Sequence, residues 1–389
     1  MPDIHRFKEK TERKIELLKT DTTVSERNKA DILRFVNDCY AERLSHGRVY
    51  KLLYFLLSLS RMLGKDFADA TKEDLKELIR KIENSPKNYT ENTKKDFRVV
   101  LKKFYKWLEG IEDGYPDRVK WMKATIAHNH RKLPDELLTQ DEIRQMIQAA
   151  DNPRDKALVF VMYESGCRIG ELLSIKLKHV QFDTYGAKVM VSGKTGARQI
   201  RLIASCDYLR YWLENHPDRS NPDAPLWASI ANAERGTFIG YACVRKRVRD
   251  IARRAGITKK VNPHNFRHSR ATHLASKLKT AQLCVMFGWE QHSAMPSTYI
   301  HLSGEDVDDA LLKVHGLKKD SNGDTINCPR CQKAHQPTAK YCDDCGMPFN
   351  VKVLAEAEDE RSKYDDLMSK LMANPDVKKA IAKALEEMK

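Results

Sequence analysis

The octapeptide Gly166-Cys167-Arg168-Ile169-Gly170-Glu171-Leu172-Leu173 places one arginine at a glycine-led helix start among apolar neighbours. An arginine held by packing at a helix N-terminus is well placed to clamp a phosphate. The plainer alternative is that Arg168 pairs with Glu171 on a helix surface. Lys194 stands at the tip of the expected hairpin turn Ser192-Gly193-Lys194-Thr195-Gly196, where it can reach into a cleft and deliver a proton. A solvated turn lysine is the commoner case. In Pro263-His264-Asn265-Phe266-Arg267-His268, His264 and Arg267 are three apart and share one helix face. That pairing suits a phosphate, with the guanidinium bonding two oxygens and the imidazole a third; the alternative is an exposed basic helix end. Phe287-Gly288-Trp289 and Thr298-Tyr299-Ile300-His301 follow. A tyrosine is far more often a packing residue than a nucleophile, so Tyr299 draws its interest from its company.

A second group suits a metal. Cys328-x-x-Cys331 and Cys342-x-x-Cys345 form two knuckles with ten residues between them. Four thiolates at this spacing suit one tetrahedral Zn²⁺, a closed and therefore structural site; two disulfides or redox pairs are the alternative. The other five cysteines, Cys39, Cys167, Cys206, Cys243 and Cys284, are scattered singly, as small buried hydrophobes are in a reducing compartment. The charge is lopsided. The chain carries +15, and because residues 351–389 carry −1, residues 1–350 carry +16. Residues 241–270 alone hold ten Lys and Arg against one acidic side chain, the footprint of a surface that binds phosphate backbones. A basic body suggests a polyanionic partner, although charge alone fits a merely soluble basic protein too.

These groups need a scaffold, and helical periodicity supplies most of it. Residues 23–110 read as four or five helices, with Ile32, Phe35 and Val36, then Tyr50, Leu53 and Leu57, then Leu75, Leu78 and Ile79, then Phe97, Val100, Leu101 and Phe104 as their apolar stripes. Weak periodicity with Gly114, Pro116 and Pro134 predicts a linker over 116–137. Thr139-Gln140-Asp141-Glu142 is a capping box that opens a second domain. Strand signals concentrate at 187–203 as a hairpin. Val244, Val248 and Ile251 make a buried stripe, which turns Arg245, Lys246, Arg247 and Arg249 outward. The expected organisation is mainly α with a small β-sheet. It comprises a helical domain over 1–115, a linker over 116–137, an α+β domain over 138–317, a zinc ribbon over 318–350 and a charged amphipathic helical tail over 351–389. No apolar run is long enough for a membrane span, and the charged N-terminus lacks a signal-peptide core, so a cytoplasmic protein is expected.

The ordered set Arg168, Lys194, His264-x-x-Arg267, Trp289, Tyr299 resembles the tyrosine recombinase (phage integrase) family over roughly residues 139–303. The blocks that carry the resemblance are Gly-Cys-Arg-Ile-Gly-Glu-Leu, Ser-Gly-Lys-Thr-Gly, His-Asn-Phe-Arg-His-Ser-Arg-Ala-Thr and Thr-Tyr-Ile-His. Where the family usually has Leu-Gly-His this chain has Phe-Gly-Trp, so Trp289 takes the histidine position, with His292 a nearby competitor. Residues 289–304 followed by four cysteines look most like integrases of archaea and their mobile elements. The resemblance implies a core-binding, SAM-like DNA-binding domain ahead of the catalytic domain. It also implies site-specific cutting and rejoining of double-stranded DNA through a covalent 3′-phosphotyrosine at Tyr299. Arg168, Arg267, His264 and Trp289 would donate to the phosphate, and Lys194 would protonate the leaving 5′-oxygen. It implies a homo-tetramer on paired DNA sites, with or without an accessory protein, and no catalytic cofactor. The chain has no Gly-x-x-x-x-Gly-Lys-Ser/Thr phosphate loop, in keeping with a reaction that needs no ATP. Two competing readings remain at this point: a type IB topoisomerase-like nicking and closing enzyme, and a non-enzymatic zinc-ribbon DNA-binding regulator.

Overall fold

The computed structural model describes residues 3–125, 136–193 and 196–300, then short stretches between 326 and 349 with the isolated positions 366 and 370. Lys194 and nearly all of the expected tail lie outside the described residues. The chain forms two compact units, His5–Arg131 and a larger one that joins Met1–Ile4 to Lys132–Lys389.

The first unit is helical: α1 (Phe7–Lys19), α2 (Glu26–Ala41), α3 (His46–Leu63), α4 (Lys72–Glu83), α5 (Glu91–Leu108) and the single turn α6 (Asp117–Lys120). Side-chain caps set three of the starts. Ser25 accepts from the Asn28 amide and Thr90 from the Thr93 amide, while Thr71 and Asp74 form a reciprocal capping box. Phe35, Phe55, Phe97 and Phe104 meet in the core, with Phe35–Phe104 and Phe55–Phe97 edge to face at 5.3 and 4.7 Å. The segment from 116, expected to be linker, begins inside this unit instead. Val119 and Met122 are fully buried in the same core, a pair too short to register as periodicity.

The larger unit opens with α7 (Gln140–Ala149), whose Thr139–Glu142 capping box forms at 2.7 and 3.1 Å. α8 (Pro153–Ser165) follows and is buried on nearly every side. Its one ion pair, Arg154 with Asp155, is buried with it and keeps a guanidinium N–H on the Ala228 carbonyl at 3.1 Å. After the short α9 (Ile169–Leu173) comes an antiparallel sheet in the order β1 (Val180–Asp183), β2 (Gly186–Gly193), β3 (Gly196–Leu202). Val189 pairs with Val180 on one side and Ile200 on the other. Ala187, Val189, Val191, Ile200 and Leu202 face the core, the period of two that the hairpin expectation rests on. α10 (Cys206–Glu214), α11 (Tyr241–Arg254), α12 (Pro263–Ala275), α13 (Thr280–Phe287) and α14 (Met295–Ile300) complete the body. On α11, Val244, Val248 and Ile251 are buried, and Arg245, Lys246, Arg247 and Arg249 are all exposed. Ile4 is buried with this unit rather than the helical one, and its carbonyl accepts from the Tyr241 amide at 3.1 Å. A two-stranded ribbon, β4 (Ile326–Asn327) with β5 (Ala334–His335), lies beside the cysteine cluster. Among the described residues no helix is long and apolar enough to cross a membrane.

Candidate active site

The site is organised around the C-terminal end of α13. A helix leaves its last carbonyls without intrahelical partners, and the aligned peptide dipoles make that end electronegative. Here three consecutive carbonyls each receive a different guanidinium. Arg198 Nε donates to Met286 at 3.0 Å, Arg267 Nη2 to Phe287 at 2.7 Å and Arg168 Nη2 to Gly288 at 3.1 Å. Arg267 also donates through Nη1 to the carbonyl of Gly166, the C-cap of α8, at 2.8 Å. One side chain of α12 thus joins the ends of two other helices. Gly166 makes the junction possible. Its φ is 56°, and a Cβ there would lie 2.4 Å from Phe287 Cε1.

Glu171 completes the hub. It is 1% exposed, bonding Arg168 Nη1 at 2.9 Å and Arg198 Nη2 at 2.7 Å, and it accepts from the Arg168 amide at 3.0 Å. The Arg168–Glu171 pair therefore forms, but as part of a buried network and not on a helix surface. Burial opposes the charge on Glu171. Hydrogen bonds and charge from Arg198, then Arg168, outweigh it and hold the carboxyl below its ordinary range. Gly193, at the end of β2, runs directly against this carboxylate, for a Cβ there would sit 2.5 Å from Oε1. Glu171→Ala is expected to strand Arg198 without its buried counter-charge and lower stability by about 3–5 kcal/mol, read from chemical unfolding of the full chain.

The aromatic residues stack beside the arginines. Phe287, Trp289 and Tyr299 form a continuous pile, with ring centroids 4.9 and 5.4 Å apart and interplanar angles of 19° and 10°. The Arg267 guanidinium lies over both Phe287 and Trp289, at 5.3 and 5.4 Å. Burial, with Arg168 beside it, pulls Arg267 down to about 10, so it stays charged near neutral pH. Tyr299 is 2% exposed, and burial pushes its phenol up while Arg267 pulls the other way. Its hydroxyl bonds His268 Nδ1 at 2.7 Å. His264 is exposed and packs edge to face on His268 at 4.3 Å. His292 lies exposed in the turn before α14.

The structure therefore brings Arg168, Arg267, Trp289 and Tyr299 into one cluster, with His264 attached through His268. Three participants escaped sequence reasoning as members: Glu171, Arg198 and His268. For Arg198 a signal existed. It shares the parity of the buried Ile200 and Leu202, so the strand period places a charge on the core face, where it needs a partner.

Later in the sequence, Cys328, Cys331, Cys342 and Cys345 bring their sulfurs within 4.8 Å of one another. Separations of 3.4 Å for Cys328–Cys345 and 3.3 Å for Cys331–Cys342 are far beyond a disulfide. They approach the edge of about 3.8 Å that a tetrahedron of 2.3 Å metal–sulfur bonds requires. The four thiols could hold a metal ion. Arg330 fastens the second knuckle to the body, donating to the Cys345 carbonyl at 3.0 Å and pairing with Asp207 of α10.

Residues 136–305 match the phage integrase family. Among curated proteins, the chain is 32% identical over 202 residues to the tyrosine recombinase XerD of Bifidobacterium longum (strain NCC 2705), covering 47% of this chain and 63% of that protein. It spans just under two thirds of the length of such relatives. Among solved structures, the XerH site-specific recombinase bound to palindromic difH substrate, a post-cleavage complex, aligns with a TM-score of 0.56 at 17% identity, over 79% of this chain and 95% of that one. A lambda integrase tetramer bound to a Holliday junction aligns with a TM-score of 0.53 at 15% identity, over 69% and 76%. These two likenesses establish the fold. The ordered motifs Arg168, His264-x-x-Arg267, Trp289 and Tyr299 all fall within residues 136–305, the stretch that is similar to the phage integrase family.

Proposed function

We propose that the protein is a site-specific DNA recombinase or integrase that cuts and rejoins double-stranded DNA through a 3′-phosphotyrosine on Tyr299, without ATP. The observation that carries this reading is the enclosure of Tyr299 between the Trp289 stack and His268, beside the Arg267 cation. Attack on a phosphodiester builds charge on the non-bridging oxygens. Arg168 and Arg267 supply fixed positive donors for it, preorganised because Glu171 and the α13 carbonyls already hold them. His264 and Trp289 add ring N–H donors, and Lys194 protonates the leaving 5′-oxygen. The helical unit, His5–Arg131, is the core-binding DNA domain, and the catalytic domain follows it to about residue 317. XerH and lambda integrase are described on DNA, the latter as a tetramer, which supports duplex DNA and a homo-tetramer on paired sites here.

The exposed basic row on α11 is a backbone contact. Replacing Arg245 and Arg249 by alanine should weaken binding equally on all sequences and flatten its salt dependence, in a filter-binding titration across ionic strength. Zinc is the metal proposed for the four cysteines, in a structural role, since four thiolates leave no open coordination position. Elemental analysis should find one zinc per chain, and Cys342→Ser should lose it. Cleavage of a suicide duplex should survive chelation. The five remaining cysteines are all free thiols, in keeping with a cytoplasmic setting.

The deciding experiment presents the protein with a nicked suicide duplex, digests the trapped complex and sequences the DNA-linked peptide. An adduct on Tyr299 is expected, and an adduct on any other residue removes the assignment. Strand exchange between two duplex sites of defined sequence then separates recombination from simple nicking and closing.

A further inference from the structure

The contact between Tyr299 and His268 is used by none of the roles above. The phenolic oxygen lies 2.7 Å from Nδ1, the length of a strong hydrogen bond. We propose that His268 is the base that takes the proton from Tyr299 as it attacks the phosphate. The inference rests on the reading of Tyr299 as nucleophile.

Three observations carry it. First, Tyr299 is buried, so bulk water has little access to its proton, and an acceptor must come from the protein. Second, burial raises the phenol above its ordinary value and Arg267 only partly opposes this. The resting nucleophile is therefore a neutral phenol whose deprotonation has to accompany attack. Third, the rings of Tyr299, His268 and His264 run from buried through half-buried to exposed, with His264 edge to face on His268 at 82°. That contact fixes the His268 ring plane and keeps Nδ1 aimed at the phenol.

With Nε2 protonated, Nδ1 of neutral His268 is the acceptor. In the forward step the Tyr299 O–H bond breaks and its proton passes to Nδ1. The phenolic oxygen forms a bond to phosphorus. The bond to the 5′-oxygen breaks, and that oxygen leaves with the electron pair and a proton from Lys194. On religation the 5′-hydroxyl attacks phosphorus and returns its proton to the neutral Lys194, while the bond to the Tyr299 oxygen breaks and the departing phenol recovers its proton from the imidazolium. His268 touches the reacting atom and is, in this account, a catalytic residue.

The test measures single-turnover cleavage of a suicide duplex by the full chain. His268→Asn places an amide where Nδ1 was, able to hydrogen-bond the phenol but not to accept its proton. It should cleave about 10²–10⁴-fold more slowly with duplex affinity unchanged. A 5′-bridging phosphorothiolate, which departs without protonation, should rescue Lys194→Ala and not His268→Asn. Added imidazoles should restore His268→Ala, with a rate that rises with the basicity of the base. His268→Gln serves the same comparison should the asparagine variant fail to fold. Cleavage by the asparagine variant within about threefold of the parent overturns the proposal, as does a loss that no added base relieves. Peptide mapping keeps the two ideas apart. An adduct on Tyr299 with His268→Asn cleaving at the parental rate removes only the base. An adduct elsewhere removes the nucleophile and the base together.

Discussion

Tyr299→Phe should abolish covalent capture of DNA while leaving the fold and the duplex affinity in place. The substitution deletes one oxygen, and with it the only atom of that side chain able to bond phosphorus. The ring remains stacked on Trp289 at 5.4 Å, so the apolar packing survives. What is lost structurally is the hydrogen bond to His268, a change of about 1 kcal/mol. The effect on chemistry is all or none, because no water can substitute for a nucleophile that stays bound as the intermediate. A denaturing gel of the suicide-duplex reaction reads it. The parent should give a shifted protein–DNA band and the variant none, while both retard the duplex equally on a native gel. A band from the phenylalanine variant would place the nucleophile elsewhere.

Arg267→Ala should fail on two counts at once, and the two are separable. Arg267 is 4% exposed and satisfies the carbonyls of Gly166 and Phe287, each at the end of a different helix. Truncation leaves both acceptors buried without partners, at about 1–3 kcal/mol each, and opens a cavity under the Phe287–Trp289 stack. The full chain should melt earlier as a result. Loss of a preorganised cation at the phosphate should add a fall of about 10²–10³ in cleavage rate, beyond anything explained by unfolded protein. Arg267→Lys tests the division. It keeps the charge but cannot bond two carbonyls in one plane and still face a phosphate, so cleavage should remain strongly impaired. A lysine variant that cleaves at the parental rate would mean that Arg267 serves the site only as a point charge.

Much of the architecture was legible from local pattern. The Thr139–Glu142 capping box starts α7 where expected. The alternation in 187–203 becomes the β2–β3 hairpin, and the stripe of Val244, Val248 and Ile251 turns the basic residues of α11 to solvent. β1 was not legible, because four residues of mixed burial show no alternation of their own. α6 was missed because a linker and a one-turn helix read alike until Val119 and Met122 are seen to be buried. Sequence order grouped Arg168, Arg267, Trp289 and Tyr299, and the structure brings those four together. It could not reveal that Glu171 is 1% exposed, because an i,i+3 ion pair reads the same on a surface as in a core.

The sequence by itself determined which side chains share a face, since the helical and strand periods act over a few residues. His264 and Arg267 on α12, the basic row of α11 and the two cysteine knuckles all follow from such spacing. Only the tertiary structure decided that three arginines converge on one helix end. Arg168 reaches Gly288 across 120 residues, Arg198 reaches Met286 across 88 and Arg267 reaches Phe287 across 20. The attraction there is between guanidiniums and the unpaired carbonyls of a helix terminus, groups that every helix possesses. No residue type in α13 advertises it, so which helix end collects the charges is settled by packing.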